Sequence, residues 1–249
     1  MNSVTIRNLL VRGMLAGLAA GVLALVVAYL LGEPQVDAAI AFEEAHSHEH
    51  EMEVVSRGVQ STAGLATGVL VYGVALGGIA ALAFCFALGR IGRFGARATA
   101  ALLSGAALLA VYLVPFLKYP ANPPSVGDPD TIGKRTALYF LMMLLGILLA
   151  VAATILGRRL APKLGNWYAA VAAGAAFVVA IGLAYAFLPA VNEVPHDFSA
   201  TLLWQFRLSA ITIQLVLWTA FGLVFGHLAE RVVPTRSRAT AAEAAPAVS

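Results

Sequence analysis

Six long apolar runs decide what this chain can become. They lie at about 9-31, 61-88, 98-117, 136-156, 167-188 and 208-229, and about 20 such residues in a helix span the hydrocarbon core of a bilayer. Inside that core every backbone N–H and C=O must be bonded within the protein, so apolar runs of this length cross as helices. Little is left over for a soluble domain: 12% of the residues are charged, against about a quarter in ordinary globular chains. Arg7 and Arg12 ahead of the first run give it the outline of a signal peptide. Its apolar part is longer than the roughly 7 to 15 residues of a signal core, and no small-residue cleavage site follows, so it reads as a retained span. The expected fold is all-α: a polytopic integral membrane protein of about six transmembrane helices paired as three helical hairpins. The transmembrane domain is expected over 1-234, with an outer loop at 32-60 and a disordered, Ala/Ser/Thr-rich cytoplasmic tail at 235-249. The single cysteine, Cys85, falls within the second run and excludes an intrachain disulfide or a cysteine metal site.

Charge orients the spans, because cytoplasmic loops retain Lys and Arg. Six spans put both termini on one side. With that side cytoplasmic, it holds Arg7, Arg12, Arg90, Arg93, Arg97, Arg158, Arg159, Lys163, Arg231, Arg236 and Arg238, eleven of the 16 basic residues. Of the 13 acidic residues only Glu230 and Glu243 join them. The net charge of +3 therefore reflects topology and gives no sign of nucleic-acid binding.

A faint repeat accompanies the alternation. The odd-numbered spans end outward in "AYLLGEP" from Ala28, "VYLVPF" from Val111 and "AYAFLP" from Ala184. Each even-numbered span begins beside an outward arginine: Arg57, Arg135 and Arg207. Three hairpins of one plan would bring their outer loops together. An aromatic belt and proline helix ends account for the same pattern without a repeat.

The loop 32-60 carries the chemistry. "HSHEHEME", with Glu44 just upstream, places His46, His48 and His50 among Glu44, Glu49, Glu51 and Glu53, and imidazole with carboxylate suits divalent first-row metals. In a helix, Glu43, His46, His50 and Glu53 share one face, and the two histidines stand at i, i+4. In an extended chain, His46, His48 and His50 share a side. Either form supplies three ligands; an acidic, solvated loop with incidental histidines is the plainer account. In the last outer loop, "PAVNEVPHDF" brings Glu193, His196 and Asp197 together, and the middle loop offers Asp128 and Asp130. Either is also explained as a polar loop shaped by Pro and Asn turns.

Polar side chains within the spans are few: Gln60, Ser61, Thr62 and Thr67, Ser104, and Gln205, Thr212 and Gln214. No Asp or Glu sits at a span centre, which argues against a proton-driven carrier built on a buried carboxylate. The glycines of "GMLAGLAAG" and "GVALGGIAALA", with Gly13, Gly17 and Gly21 at every fourth position, point to close helix packing. His227, near the inner end of the last run, is an ordinary interfacial residue or a ligand on the release side. "GDPDTIGKR" fails as a phosphate loop in both its glycine spacing and the residue after Lys134. No nucleophile and base pair up, so the chain reads as a non-enzyme without a cofactor.

The phrases "RNLLVRGMLAGLAAGVLALVVAYLLGEPQVDAAIAFEEAHSHEHE", "VSRGVQSTAGL", "YLVPFLKYPANPPSVGDPDTIGKRTALYF" and "LPAVNEVPHDF" together resemble the predicted cobalt transporter subunit family CbtA, in its actinobacterial form. The resemblance extends to about Arg231. It implies a multi-pass subunit of the inner cell membrane that takes up cobalt for cobalamin synthesis, with nickel as the neighbouring metal. It also implies a small one-span, histidine-rich partner of the CbtB type, or an energising partner. Members are usually described with five spans, where the charge pattern here favours six. On this reading His46, His48 and His50 capture the metal, and Glu43, Glu44, Glu49, Glu51 and Glu53 concentrate cations around them. Glu193, His196 and Asp197 would complete the site. The competing readings are a membrane metal sensor or accessory that binds without transporting, and an enzyme with a loop-held metal.

Overall fold

The computed structural model describes residues 2–46, 55–124, 126–127 and 130–233, which are helical with connecting turns and contain no strand. In chain order the helices are α1 Ser3–Val27, α2 Glu33–His46, α3 Arg57–Val59, α4 Leu65–Ala87, α5 Ala96–Ala107, α6 Val114–Lys118, α7 Ile132–Phe187 and α8 Ala200–Glu230. A single wider, π-helical turn joins α1 to α2, α3 to α4, and α5 to α6. Two of these have a covalent cause. Pro34 and Pro115 cannot donate to the carbonyl four residues back, and the turns Ala28–Gly32 and Leu108–Leu113 lie just ahead of them. At the third, Gln60–Gly64, the Ser61 and Thr62 hydroxyls both donate to Gly58 O.

Among the described residues, five helical stretches are long and apolar enough to cross a membrane: Ser3–Ala45, Arg57–Ala87, Ala96–Lys118, Ile132–Phe187 and Ala200–Glu230. The fourth covers both the fourth and fifth apolar runs. It is broken at Gly165, whose φ of 75° lies where glycine alone is at ease. The arms on either side pack together, since a Cβ on Gly157 would come 3.3 Å from the Ala173 Cβ. Trp167 and Tyr168 stand exposed beside the break, as aromatic residues do at a membrane surface. The expected outer loop 32-60 is helical as far as His46 and again from Arg57, so the acidic segment extends the first span.

The chain divides into two compact units. The first contains Met1–Leu25, Ala66–Gly105 and Val216–Ser249, and small residues hold it together. Gly13, Gly17 and Gly21 of α1 lie against Gly77, Gly73 and the Val69–Leu70 backbone of α4. A Cβ on Gly73 would come 2.6 Å from the Gly17 carbonyl oxygen, so two backbones touch where any side chain would part them. On α8, Gly222 and Gly226 face Ser104 and the Arg97–Ala100 turn of α5. Phe84 and Phe225 meet edge to face at 5.1 Å.

The second unit contains Val26–Leu65 and Ala106–Leu215. One of its cores gathers Val114, Tyr119, Met142 and Ile181. Around it the Tyr185 hydroxyl donates to Val114 O, and Lys118 Nζ donates to Tyr185 O at 2.8 Å. A second core packs Ala39 of α2, Val126 of the loop after α6, and Phe198 and Leu203 near the start of α8, with Phe42 and Val194 against them.

Candidate functional site

That second core draws together the three loops expected on the outer face. Phe42 meets Phe198 edge to face at 5.0 Å. Glu43 follows the first of these rings directly, and His196 and Asp197 precede the second. Glu43, Glu44, His196 and Asp197 are exposed around this apolar contact. Close-packed rings therefore carry a rim of acidic and imidazole groups. His46 closes α2, one turn beyond Phe42. Its side chain lies outside the described residues, as do His48, Glu49, His50, Glu51, Glu53 and Asp128. Asp130 sits in the turn before α7.

Glu193 is placed differently from its neighbours. Its side chain is only 3% exposed, and its carboxylate accepts from Arg135 Nη1 at 3.1 Å and from the Thr131 hydroxyl. A carboxylate already bound by a guanidinium offers little to a second cation. The structure thus separates the expected trio: Glu193 is buried in an ion pair, while His196 and Asp197 face out. Among the described residues, no three His, Cys, Asp or Glu side chains converge as a metal site.

The three arginines that marked the repeat each reach into a segment expected on the outer face. Arg57 pairs with Glu33 and, at 2.8 Å, with Asp37, both on α2. Arg135 holds Glu193 and also donates Nη2 to Pro120 O at 2.6 Å. Arg207 donates Nε to Ala121 O at 3.2 Å and Nη2 to Asn122 Oδ1 at 2.9 Å. Tyr119 adds a bond from its hydroxyl to Pro189 O at 2.8 Å. Burial pushes the Tyr119 phenol up, keeping it a neutral donor. Sequence reasoning picked out these arginines as markers of a repeat and missed them as fasteners. The signal available was an arginine opening each even-numbered span opposite acidic or carbonyl-rich segments.

Some polar groups of the spans are satisfied locally, while among the described residues the buried Ser104 Oγ and Gln214 Oε1 have no hydrogen-bond partner. Thr62, Ser209 and Thr212 donate to carbonyls four residues back, as hydroxyls in membrane helices do. Ser209 also reaches Leu31 O at 2.8 Å, in the first π-helical turn. Gln60 donates to Val55 O, and His227 Nε2 lies 2.8 Å from Arg231 Nη2.

A family model described as "Probable cobalt transporter subunit (CbtA)" matches residues 6–230. No curated protein and no solved structure matches the chain.

Proposed function

We propose, from the premise that the chain belongs to the CbtA family of probable cobalt transporter subunits, that it captures a divalent transition metal at its outer loops and passes it across the inner membrane. The metal is cobalt, destined for cobalamin synthesis, with nickel the nearest competitor. The observation that carries this reading is the Phe42–Phe198 contact, which sets the end of α2 beside residues 193–197. His46, His48 and His50 capture the ion, with Glu43, Glu44, Glu49 and Glu53 drawing it in and His196 and Asp197 at the edge of the same cluster. Glu193 serves them indirectly, since its bond to Arg135 holds the segment that presents His196 and Asp197.

The topology we propose has six crossings, paired as three hairpins, with both termini in the cytoplasm. It is supported by the packing of the two arms of α7 on each other and by the bias of Lys and Arg toward residues 88–97 and 157–163. A small one-span, histidine-rich subunit or an energising partner would supply what this chain lacks for driven uptake.

Purified protein in sealed vesicles tests the reading. With radioactive cobalt outside and a metal gradient imposed, wild type is expected to accumulate label in the lumen. Label held only on the vesicle surface would mark a metal-binding accessory. A triple His46→Ala, His48→Ala, His50→Ala variant should lose most cobalt binding in competition with nickel, zinc and manganese. Equal binding by both proteins would remove the capture role.

A further inference from the structure

Within the first unit, an apolar groove of about 630 Å³ runs between α1 and α4, lined by Met14, Leu18, Val71, Ala75, Gly78 and Leu82. Its size falls among sites that take small molecules, roughly 300 to 1,000 Å³. The glycine seam fixes the spacing of its two walls, because Gly13 and Gly17 set α1 directly on the backbone of α4. At Gly78 the walls meet: a Cβ there would come 3.4 Å from Met14 Cγ and 3.6 Å from Leu10 Cδ1.

The same two faces carry charge at one end. On α1, Arg7, Leu10, Met14 and Leu18 stand at i, i+3, i+7 and i+11, one side of a helix. Gly13 meets Gly77 and Gly17 meets Gly73, so the helices are antiparallel and Arg7 comes level with residues 82–86 of α4. There Gly89, with a φ of 75°, ends the helix. Arg90 folds back so that its Nη1 donates to Phe86 O at 2.8 Å and its guanidinium lies 4.8 Å from the centre of the Phe86 ring. Among the described residues the ion pairs fall to Arg57, Arg97 and Arg135, and none to Arg7 or Arg90. An apolar trough thus opens beside two guanidiniums without a carboxylate.

We propose that this groove holds an acyl chain of an anionic phospholipid whose phosphate is bound by Arg7 and Arg90. A guanidinium fork suits phosphate, and basic pockets between membrane helices take anionic headgroups. The lengths agree as well. From Arg90 to Gly78 is about 18 Å at the helical rise of 1.5 Å per residue, and half a bilayer with its headgroups measures about 20 Å. A transmembrane helix fits less well, because helices in lipid associate through small residues that let backbones approach. Here Met14, Leu18, Val71 and Leu82 would hold a partner backbone away, whereas a flexible acyl chain can follow them. Neither the metal nor the side of the membrane on which this end lies enters the lipid's recognition.

Native mass spectrometry of the full chain in detergent tests the site, with phosphatidylglycerol and phosphatidylcholine of identical acyl chains titrated in parallel. Wild type should bind phosphatidylglycerol the more tightly. Combining Arg7→Gln with Arg90→Gln should lower that affinity about twentyfold and erase the preference. Ala75→Trp, whose ring would fill the groove without touching a charge, should weaken the binding of both lipids. Arg7, Ala75 and Arg90 are all exposed, so the fold should survive these changes. Arg158→Gln, which removes an exposed charge of α7, should bind as wild type does. Unchanged affinity for phosphatidylglycerol in either the double arginine variant or Ala75→Trp would overturn the site. An equal drop in Arg158→Gln would also overturn it, as the mark of a diffuse charge effect. So would dimers of the chain that Ala75→Trp dissociates while lipid binding stays the same, since the groove would then belong to a second copy.

Discussion

The first unit is held by what its side chains lack, and the second by what its side chains reach. In the first, α1 and α4 approach until Gly13, Gly17, Gly73 and Gly77 set carbonyl against backbone. Contacts of that kind are short-ranged and leave no slack, because lipid gives helices no hydrophobic reason to associate and dispersion between close backbones must serve. In the second, Arg57, Arg135 and Arg207 span several ångströms to carboxylates and carbonyls of separate segments. Long side chains tolerate displacement and can exchange partners. The difference teaches where motion can occur: a glycine seam is either closed or broken, whereas an arginine tie can be let out.

Breaking the costliest tie should show the largest effect. Arg135→Gln leaves Glu193 charged and buried, and should destabilise the second unit by about 3 to 5 kcal/mol. Thermal unfolding followed by tryptophan fluorescence reads the loss, and adding Glu193→Gln should recover much of it. No recovery in the double variant would mean that the pair is not the tie described. Next in size is the seam. Gly17→Ala would ordinarily favour a helix, but here the new Cβ meets the Gly73 carbonyl, and about 1 to 3 kcal/mol should be lost. Gly68→Ala on α4, where nothing stands within 4 Å, should gain up to about 1 kcal/mol. Opposite signs for two identical substitutions sharpen the comparison; equal signs would end it. Smallest is the Arg97–Glu230 pair, at 2.6 Å but with the Arg97 side chain 62% exposed. Neutralising either partner should shift stability by no more than about 1 kcal/mol, and the shift should vanish at high salt.

The membrane character of the chain was legible because long apolar runs have only one stable form in lipid. The glycine seam was legible too: Gly13, Gly17 and Gly21 recur at helical spacing, and the structure sets the first two against Gly77 and Gly73. The meeting of the three loops expected on the outer face was anticipated only through a weak repeat, and Phe42, Val126 and Phe198 provide it. None of these three belongs to a motif, since apolar residues in a loop announce burial without naming what they will meet. The candidate site was read from residue types, which say what a side chain can bind but not whether it is already bound. Glu193 reads in sequence like any acidic loop residue, and its burial against Arg135 shows only in the structure. A helix is one of two forms open to the segment around His46 from its sequence, and its continuity with the first span goes unread there because it depends on a widened turn that carries the helix past Pro34.

Gly165 has a consequence for how the molecule is made. An unbroken helix over Ile132–Phe187 would measure about 84 Å at 1.5 Å per residue, nearly three times the hydrocarbon thickness of about 30 Å, and no bilayer could house it upright. A single residue that tolerates the reversal divides this length into two arms that can leave the ribosome and enter lipid as a pair, each covering part of the other. A bulkier residue there would be felt first during biosynthesis, as failed insertion and degradation of the newly made chain.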